Sequence, residues 1–198
     1  MTQAGSNGNR YARAFRTLTF LATIATFVLV VVGGVVRVTG SGLGCPDWPL
    51  CYGQVLPPPQ VESIIEFSHR AAAGVVSLLV VGMAAWAWRS YRTDRAIFLP
   101  ALAAVGALAV QILLGAITVV YELPPLIVWV HLGTALAIFA CVVTVATNVW
   151  RAPRPLSLDS QWQSRALSLA AASAISIYIL VLLGATVVNT GASLACAD

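Results

Sequence analysis

Five long apolar stretches alternate along the chain with short segments that hold nearly all of its charge. The stretches run over residues 17–36, 63–88, 96–120, 126–150 and 166–188. About 20 residues of helix cross the hydrocarbon core of a bilayer, so the pattern predicts five transmembrane helices. Polar segments separate them. Residues 1–16 carry Arg10, Arg13 and Arg16, and a Gly- and Pro-rich loop fills 39–62. Short links follow at 89–95 and 121–125, and a longer one at 151–165. Ser63-x-x-Glu66 at the start of the second predicted helix has the form of a capping box.

Composition agrees with the pattern. The chain is 59% hydrophobic and 9% charged over 198 residues, against about 25% charged in a soluble domain. Its net charge of +4 could suggest nucleic acid. The arginines sit in short interhelical loops, however, where membrane topology accounts for them. Nine of the eleven lie in the N-terminal segment, the 89–95 link and the 151–165 link. The positive-inside rule then places those segments in the cytoplasm and the C-terminus outside, in a plasma membrane. The 39–62 loop and the 121–125 turn also fall outside. The N-terminal apolar run is too long for a signal-peptide core and lacks a small-residue cleavage site, so it is expected to stay as a span.

An internal repeat modifies the count. Thr39-Gly40-Ser41-Gly42-Leu43-Gly44-Cys45-Pro46-Asp47 and Thr190-Gly191-Ala192-Ser193-Leu194-Ala195-Cys196-Ala197-Asp198 share T-G-x-x-L-x-C-x-D at an offset of 151 residues. The expected architecture is therefore all-α and polytopic. A four-helix bundle over 17–150 is followed by a cytoplasmic loop, 151–165, and by a fifth helix with an external tail, 166–198. The fifth helix reads as the first of an incomplete second repeat.

The candidate chemistry is concentrated in Glu66-Phe67-Ser68-His69-Arg70 and in His131, the second of only two histidines. Ionisable groups beside a bilayer core are costly and mark function. Both helices enter from outside, and both histidines lie roughly 8–9 Å in along their helices. In an up-and-down bundle these helices face each other diagonally. Two imidazoles at one depth make an axial pair for a haem iron, with small neighbours (Ala71-Ala72-Ala73-Gly74 and Gly133-Thr134-Ala135) leaving room for the macrocycle. A bare metal ion is disfavoured, because no further Cys, His or Asp shares the depth. Glu66 has three readings: a cap, an ion-pair partner for Arg70, or a proton acceptor beside substrate. Arg37 and Arg70, outward against the charge rule, fit haem propionates or lipid phosphate. Cys45 and Cys51, outside and five residues apart, are expected to form a disulfide. Cys141 reads as an apolar filler and Cys196 as a free thiol.

With these residues in hand, the chain resembles the N-terminal half of the haem A synthase family. The resemblance is carried by Thr39–Leu43, Cys45-Pro46-Asp47-Trp48-Pro49-Leu50-Cys51, Glu66–Arg70, Gln111–Val119 and His131. It covers residues 17–198 and implies one of two pseudo-symmetric four-helix bundles. It further implies a membrane oxidoreductase that converts the haem O methyl group to the formyl of haem A for cytochrome oxidase assembly. By that resemblance His69 and His131 ligate the substrate haem, Glu66 is the catalytic carboxylate, and Cys45 and Cys51 are bridged. Family members carry a second histidine pair holding haem b, which this sequence does not contain. Expected partners are the bilayer and either further copies of the chain or a completing membrane subunit, and no nucleic acid. The alternative is a non-catalytic bis-histidine haem or structural subunit of a larger respiratory or photosynthetic complex.

Overall fold

The computed structural model describes residues 3–151 and 160–189. Its helices are α1 (Gln3–Val38), α2 (Val61–Tyr91), α3 (Arg95–Val120), α4 (Pro125–Trp150) and α5 (Ser160–Asn189). All five hold a stretch long and apolar enough to cross a membrane, as the hydrophobic pattern predicts. A helix satisfies its own backbone groups, which is why such sequences take this form in lipid. The expected polar segment at the N-terminus is instead a continuation of α1 back to Gln3. Helices α1 to α4 form one compact unit that ends at Trp150, and α5 belongs to a second unit. The repeat of the first helix end, Thr190 to Asp198, and with it Cys196, lies outside the described residues.

Within the first unit α1 packs on α2 and α4, and α3 packs on α2 and α4. This cyclic order sets α2 and α4 diagonally across the bundle, as an up-and-down topology requires. The tight core occupies the half of the bundle near the arginine-rich ends. Phe15 of α1 is fully buried, stacks on Tyr91 at 4.9 Å and meets Trp86 in a tilted contact at 5.6 Å. Val76, Val80, Met83 and Ala87 of α2 meet Ile97, Ala101, Ala104 and Leu108 of α3, with Ile138, Val142, Val145 and Val149 of α4.

Nearer the other end this close packing stops. No residue is buried over 27–38 of α1, 67–75 of α2, 109–118 of α3 or 125–132 of α4. The four helices therefore keep a loosely filled band between the core and the external connections. A buried residue reappears on α2 only at Glu66 and Ser63.

The connection from α1 to α2 closes the far end. Gly40, at φ 70°, turns the chain out of α1 into a short 3₁₀ turn, Ser41–Leu43, a left-handed conformation that glycine adopts at little cost. Gly44 then lies so close to the Glu62 carbonyl on α2 that a Cβ there would overlap the backbone. The α3–α4 turn runs through Glu122 and Leu123, both at positive φ. Its Leu123 side chain rests on Gly42.

Candidate functional site

The cap over this end of the bundle is built first from Ser63 and Glu66. Neither makes the expected capping box, because α2 begins earlier, at Val61 with Gln60 as its cap residue. Ser63 Oγ donates instead to the Gly44 carbonyl at 2.5 Å. Glu66 Oε2 accepts from the Cys45 N–H at 2.8 Å, and Glu66 Oε1 pairs with Arg70 one turn on. Of the readings open to Glu66, the ion pair with Arg70 is thus formed.

Arg70 completes the network. Its Nη1 donates to the carbonyls of Asp47 at 2.7 Å and Leu50 at 2.8 Å. Its Nη2 donates to the Cys45 carbonyl at 3.1 Å as well as to Glu66. A guanidinium offers five N–H bonds, so only Nε–H is left to meet anything else. The expectation that Arg70 faces a haem propionate therefore meets a guanidinium already engaged by loop carbonyls. The compensating negative charge for this outward arginine is Glu66.

Cys45 and Cys51 are joined in a disulfide, and both are fully buried. The bridge closes the segment whose carbonyls surround Arg70. Asp47 holds the far side of the ring by accepting from Tyr52 N at 2.6 Å and Gly53 N at 2.7 Å. The Gly53 amide is the main cause that holds the Asp47 carboxyl below its usual range, with the Tyr52 amide adding to it. Arg37 stands exposed in the last turn of α1. Cys141 is half-buried among the apolar residues of α4, as a filler would be.

Beneath the cap lie the two histidines. His69 is eight residues into α2 and His131 six into α4, about 12 Å and about 9 Å along their helices. Helix α2 starts two residues earlier than its sequence pattern suggests, and this accounts for the small difference in depth. Each imidazole rests in a notch cut by a glycine of a neighbouring helix. A Cβ at Gly33 of α1 would stand 3.1 Å from His69 Cε1, and one at Gly115 of α3 would stand 3.4 Å from His131 Cε1.

The polar atoms of this band are not satisfied. His69 Nδ1, His131 Nδ1 and Gln111 Oε1 are buried without a hydrogen-bond partner. Most buried polar side-chain atoms are bonded, so three exceptions in one band call for a cause. Gln111 Nε2 and His131 Nε2 are in hydrogen-bond contact at 3.1 Å. Sequence reading gave Gln111 no role. Its signal was a single amide in an otherwise apolar stretch, between Arg95 and Thr118.

These residues fit a haem. The two imidazoles lie on diagonal helices at similar depth, each with a glycine of a neighbouring helix beside its ring. Among the described residues no third His, Cys, Asp or Glu joins them as it would around a bare ion. Two nitrogens on opposite sides are the donor set of a six-coordinate haem iron.

The chain is similar to several known proteins. The haem A synthase of Bacillus licheniformis is 36% identical over 188 residues, covering 94% of this chain and 62% of that protein. The haem A synthase of Shouchella clausii is 35% identical over 187 residues, 93% of this chain and 62% of its own length. That of Bacillus pumilus is 37% identical over 194 residues, 90% of this chain and 61% of its own. The chain thus spans a little over three-fifths of these curated relatives. Residues 16–64 and 59–198 match the COX15-CtaA family of cytochrome oxidase assembly proteins, and the chain belongs to that family.

Proposed function

We propose that the chain is a haem A synthase-type membrane oxidoreductase that takes haem O between His69 and His131 and oxidises its methyl group to the formyl of haem A. The observation that carries this reading is the imidazole pair, on diagonal helices in an unpacked band, with buried nitrogens that lack partners. In it His69 Nε2 and His131 Nε2 hold the iron and set the macrocycle's plane, while Gly33 and Gly115 leave room for the rings. Glu66, one turn before His69 on α2, is the carboxylate nearest the site by sequence and takes the catalytic role. Arg37, in the last turn of α1, is placed at the outer level where propionates would emerge. The N-terminus is cytoplasmic and the disulfide external, on the strength of the arginine distribution.

A second reading is a bis-histidine haem subunit without catalysis. What favours it is that both Glu66 oxygens are engaged by Cys45 and Arg70. Purification in mild detergent, followed by extraction and mass identification of the haem, separates the two. Haem O, haem A or a species between them, absent from the His69→Ala protein, supports the enzyme. Haem b alone supports the second reading, and no haem in either protein removes both. The first reading also includes self-association or a completing membrane subunit. Cross-linking in native membranes tests this part, and a chain that stays single while converting haem O rules it out.

A further inference from the structure

Gln111 is the only polar side chain between Arg95 and Thr118 of α3. Its amide is half-satisfied. The Nε2–H group donates to His131 Nε2 at 3.1 Å, and Oε1 is buried with no partner. With the amide nitrogen against the ring, Gln111 donates and His131 Nε2 accepts. A neutral imidazole that accepts at one nitrogen carries its proton on the other, so this arrangement corresponds to the Nδ1–H tautomer of His131, with Nδ1 buried and unpartnered. A Cβ at Gly115, one turn beyond Gln111, would stand 3.4 Å from His131 Cε1, so the glycine leaves room for the ring edge.

This tautomer is the one an iron ligand needs. An imidazole that binds through Nε2 must present a lone pair there and keep its proton on Nδ1. Gln111 meets that same nitrogen, the one that would hold the iron. We propose that Gln111 is a positioning residue for haem ligation. It keeps His131 in the Nδ1–H tautomer with Nε2 unprotonated, and it yields that nitrogen to the iron. The inference rests on the haem reading above. It also gives the unpartnered Oε1 a reason, because an amide that must let go cannot be tied at both ends.

The test uses the whole chain in detergent, free of haem, labelled with nitrogen-15 histidine. There are only two histidines, so His69→Ala leaves the His131 signal alone. In that background, the chain with Gln111 is expected to show the Nδ1–H tautomer. Gln111→Leu is expected to move His131 toward Nε2–H. Gln111→Asn, which withdraws the amide by one methylene, serves as a second variant and should do the same. Haemin is then added to the chain with both histidines. Gln111→Leu is expected to reach the same six-coordinate spectrum about fivefold more slowly, the scale of one lost hydrogen bond. An Nε2–H tautomer in the presence of Gln111, an unchanged tautomer in both variants, or an association rate at or above the parent's overturns the proposal. If the parent binds no haemin at all, the haem reading fails on its own, and the tautomer measurement still decides what Gln111 does to His131.

Discussion

The loop cap and the histidine band sit one helical turn apart on α2, yet they are opposites in polar bookkeeping. In the cap, Glu66 has a partner on each oxygen, and both terminal nitrogens of Arg70 are fully used. In the band, three buried polar atoms have no partner. A satisfied buried network holds one geometry, and an unsatisfied one is costly unless something else completes it. The cap is completed by the chain itself, whereas His69 Nδ1, His131 Nδ1 and Gln111 Oε1 are left without partners in the band. The difference also separates Glu66 from His69, residues three apart that a sequence reader groups as one motif.

The largest test of this contrast is Arg70→Ala. It leaves Glu66 buried without its counter-charge and three carbonyls without a donor. Loss of one partner of a buried pair costs about 3–5 kcal/mol. The expected result is a clear fall in the thermal midpoint in detergent, with faster proteolysis of the 44–56 loop. Arg70→Lys should recover only part of it, because an ammonium cannot span the carbonyls as a planar fork does. A loop that keeps its protease resistance in Arg70→Ala would show that the cap is held from elsewhere.

A smaller and more selective effect is expected at Gly33. A Cβ there would stand 3.1 Å from His69 Cε1, close enough to push the ring aside. Alanine in place of glycine in a helix contributes up to about 1 kcal/mol, and crowding costs about 1–3 kcal/mol. The two nearly cancel in stability, so Gly33→Ala should leave the haem-free protein close to the parent while haemin affinity falls about tenfold. Gly34→Ala, with open space around its Cβ, is the control and should stabilise without touching affinity. Equal haemin titrations for the two variants would mean that the notch does not seat His69.

The smallest effect belongs to Asp47. Its carboxyl is held below the ordinary value of 3.8, chiefly by the Gly53 amide. A depressed value means that the ionised form stabilises the fold. That contribution is complete above the ordinary value and is lost as pH falls through the folded one. Amide exchange at Tyr52 and Gly53 should therefore speed up in acid, below about pH 4. Asp47→Asn, which keeps only one acceptor oxygen, should show faster exchange at neutral pH and lose the acid step.

Much of this arrangement was legible in the sequence. Five apolar runs gave five helices, and matched positions gave the diagonal histidine pair. The spacing of Cys45 and Cys51 gave the bridge. What could not be read was which partner each polar group chooses. Ser63-x-x-Glu66 has the form of a local cap, but the chain brings Gly44 and Cys45 against it, and long-range partners win. Arg70 looked outward-facing and in need of an anion, and its three carbonyl partners come from a loop more than twenty residues back or nearly so in sequence. Gln111 stood in view as a lone amide, but only the approach of α4 shows that it meets His131.

The one-sided placement of the core has a mechanical consequence. Phe15, Met83, Ala101 and Val145 bolt the four helices together near one membrane face, and the other half has no comparable packing. Local opening is cheapest where buried apolar contacts are fewest. The bundle is thus a clothes-peg, sprung at one end, with jaws that can part by a small bend of each helix while the spring stays shut.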